Sequence, residues 1–277
     1  MRILLAGDTH GNTTHVQYLI DVAVDQGCDR IFQLGDFGAW EHMSDGVRFM
    51  DRVNSYARKN GVLVYFLDGN HDKTSLLLEK YSNSPDHEGF LKVRNRVLYS
   101  PRGHRWTWDE VSFISLGGAY SVDKDYRIQV LEAQGSGRPE RYWFPEEEMT
   151  DEDMAKIILD NPGPVDVMLA HDKPRCSDPP WNRKDIPECW PNQDRLQMAV
   201  SLMTPAHFYH GHLHFLYAQN VDYGDLAGER RSLHVMGLAA DPSGDYRGYR
   251  LPYSWHVFDT DDFKIDQIAG GGRYPWA

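Results

Sequence analysis

Five short apolar runs set the rhythm of this chain, and each ends in the same polar punctuation. Ile3 to Ala6 leads into Gly7-Asp8-Thr9-His10-Gly11-Asn12, Ile31 to Leu34 into Gly35-Asp36-Phe37-Gly38, and Val62 to Leu67 into Asp68-Gly69-Asn70-His71-Asp72. Val165 to Ala170 leads into His171-Asp172, and Phe208-Tyr209 into His210-Gly211-His212-Leu213-His214. A short uninterrupted apolar run bounded by turn residues reads as a buried strand. Helical stripes separate the first three. Residues 14–26 carry Val16, Leu19, Ile20, Ala23 and Val24 on one face, and residues 44–59 behave alike with Ser44 as N-cap. Leu76-Leu77-Leu78 opens a further helix. The chain therefore begins βαβαβ, which calls for a parallel sheet.

From about residue 90 the pattern shortens. Val93, Val97 to Tyr99, Arg105 to Trp108 and Val111 to Leu116 read as antiparallel hairpins, with Asp109-Glu110 as a tight turn. Two long loops follow. Residues 117–149 start at Gly117-Gly118 and carry Tyr120, Asp123, Tyr126, Arg127, Gly135-Ser136-Gly137, Pro139 and the aromatics Tyr142, Trp143 and Phe144. Residues 173–193 are Pro-rich and carry Trp181 and Trp190. Long ordered loops beside a rigid scaffold commonly carry function. A helix is expected over 194–203, and antiparallel strands near 215–220, 231–237, 253–259 and 263–268. The acidic cluster Glu146 to Glu148 with Asp151 to Asp153 reads as a solvated face and a helix start.

Length allows a single domain over 1–277 with insertions near 117–149 and 173–193. No apolar segment approaches the roughly 18 residues that span a bilayer. Asp8 comes too early for the apolar region of a signal peptide. Three cysteines, Cys28, Cys176 and Cys189, cannot all pair, and the reading is free thiols and a cytoplasmic protein. The net charge of −12 argues against a partner as long and anionic as nucleic acid. It still permits a small anionic substrate, because bound divalent ions add positive charge locally.

Strands that all deliver Asp, Asn or His at their carboxyl ends place a site in the crevice there. A carboxylate and an imidazole two residues apart in a turn suit a metal ion, and a mixed N and O set suits Mn, Fe, Zn or Co better than Ca. The five blocks, in this order and spanning residues 7 to 214, resemble the calcineurin-like metallophosphoesterase superfamily. The resemblance implies an α/β fold in which two mixed β-sheets pack as a sandwich flanked by helices, in α/β/β/α layers. It implies two divalent ions, manganese favoured. One would be held by Asp8, His10, Asp36 and His214, the other by Asp36, Asn70, His171 and His212, with Asp36 bridging. Such a pair activates hydroxide for attack on a phosphate ester. His71 would protonate the leaving oxygen as general acid, with Asp72 orienting its ring. His210 could support the ligand pair from behind.

Two departures narrow the branch. The second block lacks the Asp-Arg-Gly of the protein serine/threonine phosphatases, and the third ends in Asp72 rather than Glu. The expected activity is hydrolysis of a small phosphodiester or nucleotide-type substrate, in the manner of bacterial, archaeal or phage relatives. A nuclease of the same superfamily and a non-catalytic metal-binding scaffold are the alternatives. Arg127, Tyr126 and Asp123 are the candidate substrate contacts, with Arg127 gripping a phosphate or merely pairing with Asp123. Lys173 and Arg175 come next.

Overall fold

A computed structural model describes residues 1–134, 143–180, 186–242 and 253–268. Gly135 to Gly137, Pro139, Tyr142 and Trp181 lie outside the described residues.

The chain opens as expected: β1 (Arg2–Ala6), α1 (Thr13–Asp25), β2 (Arg30–Leu34), α2 (Ser44–Asn60) and β3 (Leu63–Leu67). β1, β2 and β3 pair in parallel. Asn12 caps α1 by accepting the His15 N–H, whereas α2 has Met43 at the cap and Ser44 already helical. After α3 (Thr74–Tyr81), β4 (Leu91–Arg94) and β5 (Val97–Tyr99) form an antiparallel pair on the edge of this sheet. β6 (Arg105–Trp108) and β7 (Val111–Leu116) form a second pair that starts the other sheet. Their turn places Asp109 and Glu110 at φ 50° and 68°, as a two-residue hairpin turn with the twist of its strands requires.

The remaining elements are α4 (Lys124–Gln134), α5 (Asp151–Asp160), β8 (Val167–Ala170), α6 (Trp190–Met203), β9 (His207–His210), β10 (Tyr217–Gly224), β11 (Arg230–Gly237), β12 (Trp255–Asp259) and α7 (Thr260–Ile268). Several readings change. The 117–149 loop contains α4, whose weakly amphipathic run hid it from periodicity. The strand expected over 263–268 is helix α7, started by Asp261 and Asp262 in its first turn. β11 is antiparallel to β10 but parallel to β9. At α5 the acidic run does start a helix, through a Thr150–Asp153 capping box, yet Glu147 is buried rather than solvated.

Each sheet has six strands, in the orders β12-β1-β2-β3-β5-β4 and β10-β11-β9-β8-β7-β6. Central strands are parallel and outer pairs antiparallel in both. Strand residues alternate between faces, so Leu4 and Ala6 pack under α1 and α2 while Ile3 and Leu5 face the second sheet. The inter-sheet layer is aromatic: Phe32 stacks on Trp106 at 5.3 Å, and Phe113 meets Phe258 at 5.7 Å. Met154, Ile157, Leu196 and Val200 of α5 and α6 cover the outer face of the second sheet. The layers are α/β/β/α. Among the described residues no helix is long and apolar enough to cross a membrane, and Cys28, Cys176 and Cys189 are free thiols.

Three histidines sit in this interior. His207 and His234 lie 5.2 Å apart on neighbouring strands, and His256 stacks on Tyr209. Burial, with repulsion from the other two, pushes His207 down to about 3; burial pushes His234 and His256 down to about 4. Folded values below the usual 6.5 mean that the unfolded chain binds more protons under acid conditions. Their neutral burial is therefore compatible with full stability above about pH 6.5. Stability falls as pH drops toward 4, by up to about 1.4 kcal/mol per pH unit for each histidine. Urea midpoints should decline from pH 7 to pH 5, with a shallower decline in His207→Gln. An unchanged slope in that variant would place the acid sensitivity elsewhere.

Candidate metal centre

The carboxyl ends of β1, β2, β3, β8 and β9 meet at one edge of the sandwich. Asp8 and Asp36 are wholly buried there. One oxygen of each is tied to backbone: Asp8 Oδ1 accepts the His212 N–H at 2.8 Å, and Asp36 Oδ1 accepts the His71 N–H at 2.8 Å. The other oxygens, Asp8 Oδ2 and Asp36 Oδ2, are buried and accept no hydrogen bond of good geometry. Imidazole nitrogens surround them. His214 Nε2 is 2.9 Å and His10 Nε2 3.9 Å from Asp8 Oδ2. His171, His10 and His71 Nε2 lie 3.5, 3.6 and 3.7 Å from Asp36 Oδ2.

Local backbone makes this convergence possible. His10, Asp36, His212 and His214 all take φ between 44° and 62°. Non-glycine residues rarely adopt that region, and it is typical of positions whose side chains must be aimed against local preference. Gly69 and Gly211 allow the close approach. A methyl group at Gly69 would collide with Asp36 Oδ1, and one at Gly211 with Asp8 Oδ1.

The orientations are set from behind. His171 Nδ1 donates to Leu34 O at 2.7 Å, which turns Nε2 toward Asp36 and Asn70 Oδ1. Asn70 donates its amide to Ser121 Oγ at 2.9 Å, so its oxygen faces the cluster. His212 packs its ring 5.1 Å from that of His171. His210 bonds the Gly211 carbonyl and the Tyr217 hydroxyl, and so supports the turn rather than joining the cluster.

Electrostatics follow from confinement. Burial raises Asp8 and Asp36, but the surrounding histidines outweigh it and hold both well below the usual carboxylate range. Burial lowers His10 and His171. For His10, Asp241 and Asp36 outweigh burial, to about 10; for His171, Asp36 and Asp8 do so, to about 9. So many carboxylate and imidazole groups converging in one buried crevice fit divalent cations. The ligand atoms of Asp8, His10 and His214, of His10, Asp36 and His71, and of Asp8, Asp36 and His171 each lie within 4.8 Å of one another.

Asp72 is placed differently from the expectation. Its carboxylate does not reach the His71 ring. It accepts the backbone N–H groups of Phe37, Gly38, Ala39 and Gly69, so it shapes the loop that carries Asp36. Burial, then repulsion from Asp36, raises it to about 6. Arg127 takes the position beside His71, with Nη1 2.8 Å from Nδ1 and Nη2 3.2 Å from Nε2. Burial, opposed by Asp36 and reinforced by Arg127, brings His71 to about 4.

The same Arg127 bonds Asp123 one helical turn back, at 2.6 Å, so grip and pairing coexist. Tyr126 is 67% exposed. Lys173 is buried and donates to Ser177 O, and Arg175 stacks on Trp190 and pairs with Asp194.

Two residues escaped the sequence reading. Trp40 donates to His71 O at 2.8 Å and packs under Gly11. Asp241, buried, accepts from His10 Nδ1 at 2.9 Å. Asp241 repeats the strand-end punctuation, since it follows the apolar run through Ala240, and that signal could have found it. Trp40 carries no such mark.

The model of the calcineurin-like phosphoesterase family matches residues 1–216. No curated protein matches the chain. Among solved structures, a dimetal phosphatase from Danio rerio aligns at 14% identity over 93% of this chain and 91% of its own, with a TM-score of 0.52. A protein from Thermus thermophilus aligns at 13% identity over 93% and 98%, with a TM-score of 0.49. An archaeal phosphodiesterase aligns at 11% identity over 84% and 99%, with a TM-score of 0.34. With most of its length matched and five strand ends that carry Asp, Asn or His meeting in one crevice, the chain belongs to the calcineurin-like phosphoesterase family.

Proposed function

We infer that the protein hydrolyses a small phosphodiester or nucleotide-type ester with the help of two divalent ions, manganese favoured. The observation that carries this reading is the pair of buried oxygens, Asp8 Oδ2 and Asp36 Oδ2, left without hydrogen bonds amid convergent imidazoles. Asp8, His10, Asp36 and His214 would hold one ion, and Asp36, Asn70, His171 and His212 the other. When bound, such a pair acidifies water and neutralises phosphoryl charge. The diester preference rests on the resemblance to phosphodiesterase-like relatives, and a cytoplasmic setting on the composition.

The chain's own groups do the rest. His71 stands at the mouth, between Asp36 and Arg127. While the guanidinium lies on the ring, an imidazolium is disfavoured. A phosphoryl oxygen that draws Arg127 away frees the ring to carry a proton. His71 then donates it to the departing oxygen. Asp72 serves by fixing the Asp36 to Ala39 backbone, and Asn70 is aimed by Ser121.

Asp36→Ala should abolish activity and lower the content of both ions, read by elemental analysis after dialysis; full occupancy of both would remove its bridging role. His71→Ala should keep both ions and lose rate by about 10²–10⁴-fold for poor leaving groups. Nitrophenyl esters, whose leaving group needs little protonation, should suffer less. An equal loss for both would make His71 a substrate-positioning group. Arg127→Ala should lower kcat/KM by about 10–100-fold, as loss of a charged hydrogen bond worth about 1.5–3 kcal/mol implies, with ion content intact. Unchanged kinetics would exclude α4 from substrate binding.

A further inference from the structure

We propose that Asp241 is a positioning residue that selects which nitrogen His10 presents to a metal ion and strengthens that nitrogen as a ligand. The inference rests on reading His10 as a ligand, and goes beyond it by assigning a role to a residue outside the family-matched span, which ends at 216.

Asp241 is held on three sides. Its Oδ1 faces His10 Nδ1 at 2.9 Å, its Oδ2 accepts the Asn12 amide at 2.9 Å, and its backbone N–H donates to Asp8 O at 2.8 Å. The side chain is fully buried. A buried carboxylate only accepts, so the His10 nitrogen facing it must be Nδ1–H. That leaves Nε2 toward the cluster, 3.9 Å from Asp8 Oδ2 and 3.6 Å from Asp36 Oδ2.

Without Asp241, a neutral His10 ring would have no carboxylate at Nδ1 and would gain by placing its proton on Nε2, which faces the negative charge of Asp8 and Asp36. An ion would then have to displace that proton. Asp241 fixes the proton of the neutral ring on Nδ1, so that Nε2 is the nitrogen an ion meets once the imidazolium has given up its second proton, and its negative charge makes Nε2 a stronger donor. His171 has a neutral counterpart in Leu34 O, so the two histidines are backed by different chemistry. A carboxylate behind a ligating histidine is a general device for setting tautomer and basicity. The register makes it possible: Leu238 N–H bonds His210 O, which leads the segment after β11 across the strand ends to Asp8.

The test uses full-length protein stripped of metal and titrated calorimetrically with Mn²⁺. Zn²⁺-loaded, ¹⁵N-histidine samples report which His10 nitrogen is bound. The wild type should take up two ions, with His10 bound through Nε2 and Nδ1–H protected from exchange. Asp241→Ala should weaken one ion by about 10–100-fold, leave the other within about twofold, and lose the protected His10 proton. Asp241→Asn, which keeps an acceptor but no charge, should retain that proton yet still weaken the same ion by about tenfold. Unchanged affinities in Asp241→Ala, or equal weakening of both ions, would overturn the proposal. Should Asp241→Ala not fold, Asp241→Asn decides, and unchanged affinity there overturns it. A wild type that takes up no ion would instead remove the ligand reading itself, and the proposal with it.

Discussion

Two carboxylates confined in a buried crevice, each with one oxygen tied to a backbone N–H and the other facing imidazoles, are the constraint that the surrounding structure answers. Burying charge without partners is costly, and removing one partner of a buried pair is costlier than never having buried it. The chain meets Asp8 and Asp36 with backbone N–H groups on one side and imidazoles on the other. It accepts four left-handed non-glycine residues to do so, and each costs of order 1–3 kcal/mol. Such conformations persist only where packing over-determines them. The parallel strands behind them, paired on both sides, supply that rigidity.

The position of the crevice follows from the layers. Asp8, Asp36 and Asn70 come from the first sheet, and His171, His212 and His214 from the second. What aligns them is the aromatic layer between the sheets, where Phe32, Tyr65, Trp106, Trp108 and Phe113 interlock. Packing far from the crevice thus sets distances within it. Asp68 extends the coupling. Its carboxylate gathers Tyr99, Thr74 and Arg102, and its carbonyl accepts Gly118 N–H, so the loop carrying Asn70 and the loop leading to α4 are tied to one residue.

Much of this was legible because the sheets repeat one form, an apolar run followed by a turn that carries Asp, Asn or His. The parallel βαβαβ start was legible for the same reason, since long amphipathic stripes separate the runs. What was not legible depends on partners distant in sequence. Asp72 has the right spacing to serve His71, but four backbone N–H groups claim it, and only tertiary structure reveals that competition. α4 and α7 lack a clean apolar face, so periodicity could not separate them from loop and strand. Glu147 reads as solvated from its acidic neighbours, yet its carbonyl accepts the Ala119 N–H and its side chain is buried beside Lys124. The meeting of Arg127 with His71 is likewise a contact across fifty-six positions of chain.

The chain order of the crevice residues has a consequence for biosynthesis. Asp8 emerges from the ribosome before the others, but its nearest imidazole belongs to His214, and the histidine beside it is backed by Asp241. Neither half of the centre can assemble on a short nascent chain. β1, meanwhile, lacks its antiparallel neighbour β12 until residue 259 has been made. Asp8 and His10 must therefore wait for His214 and Asp241 through most of translation. A cation captured in that interval would meet the wrong companions, so correct loading becomes a late event governed by closure of the two sheets.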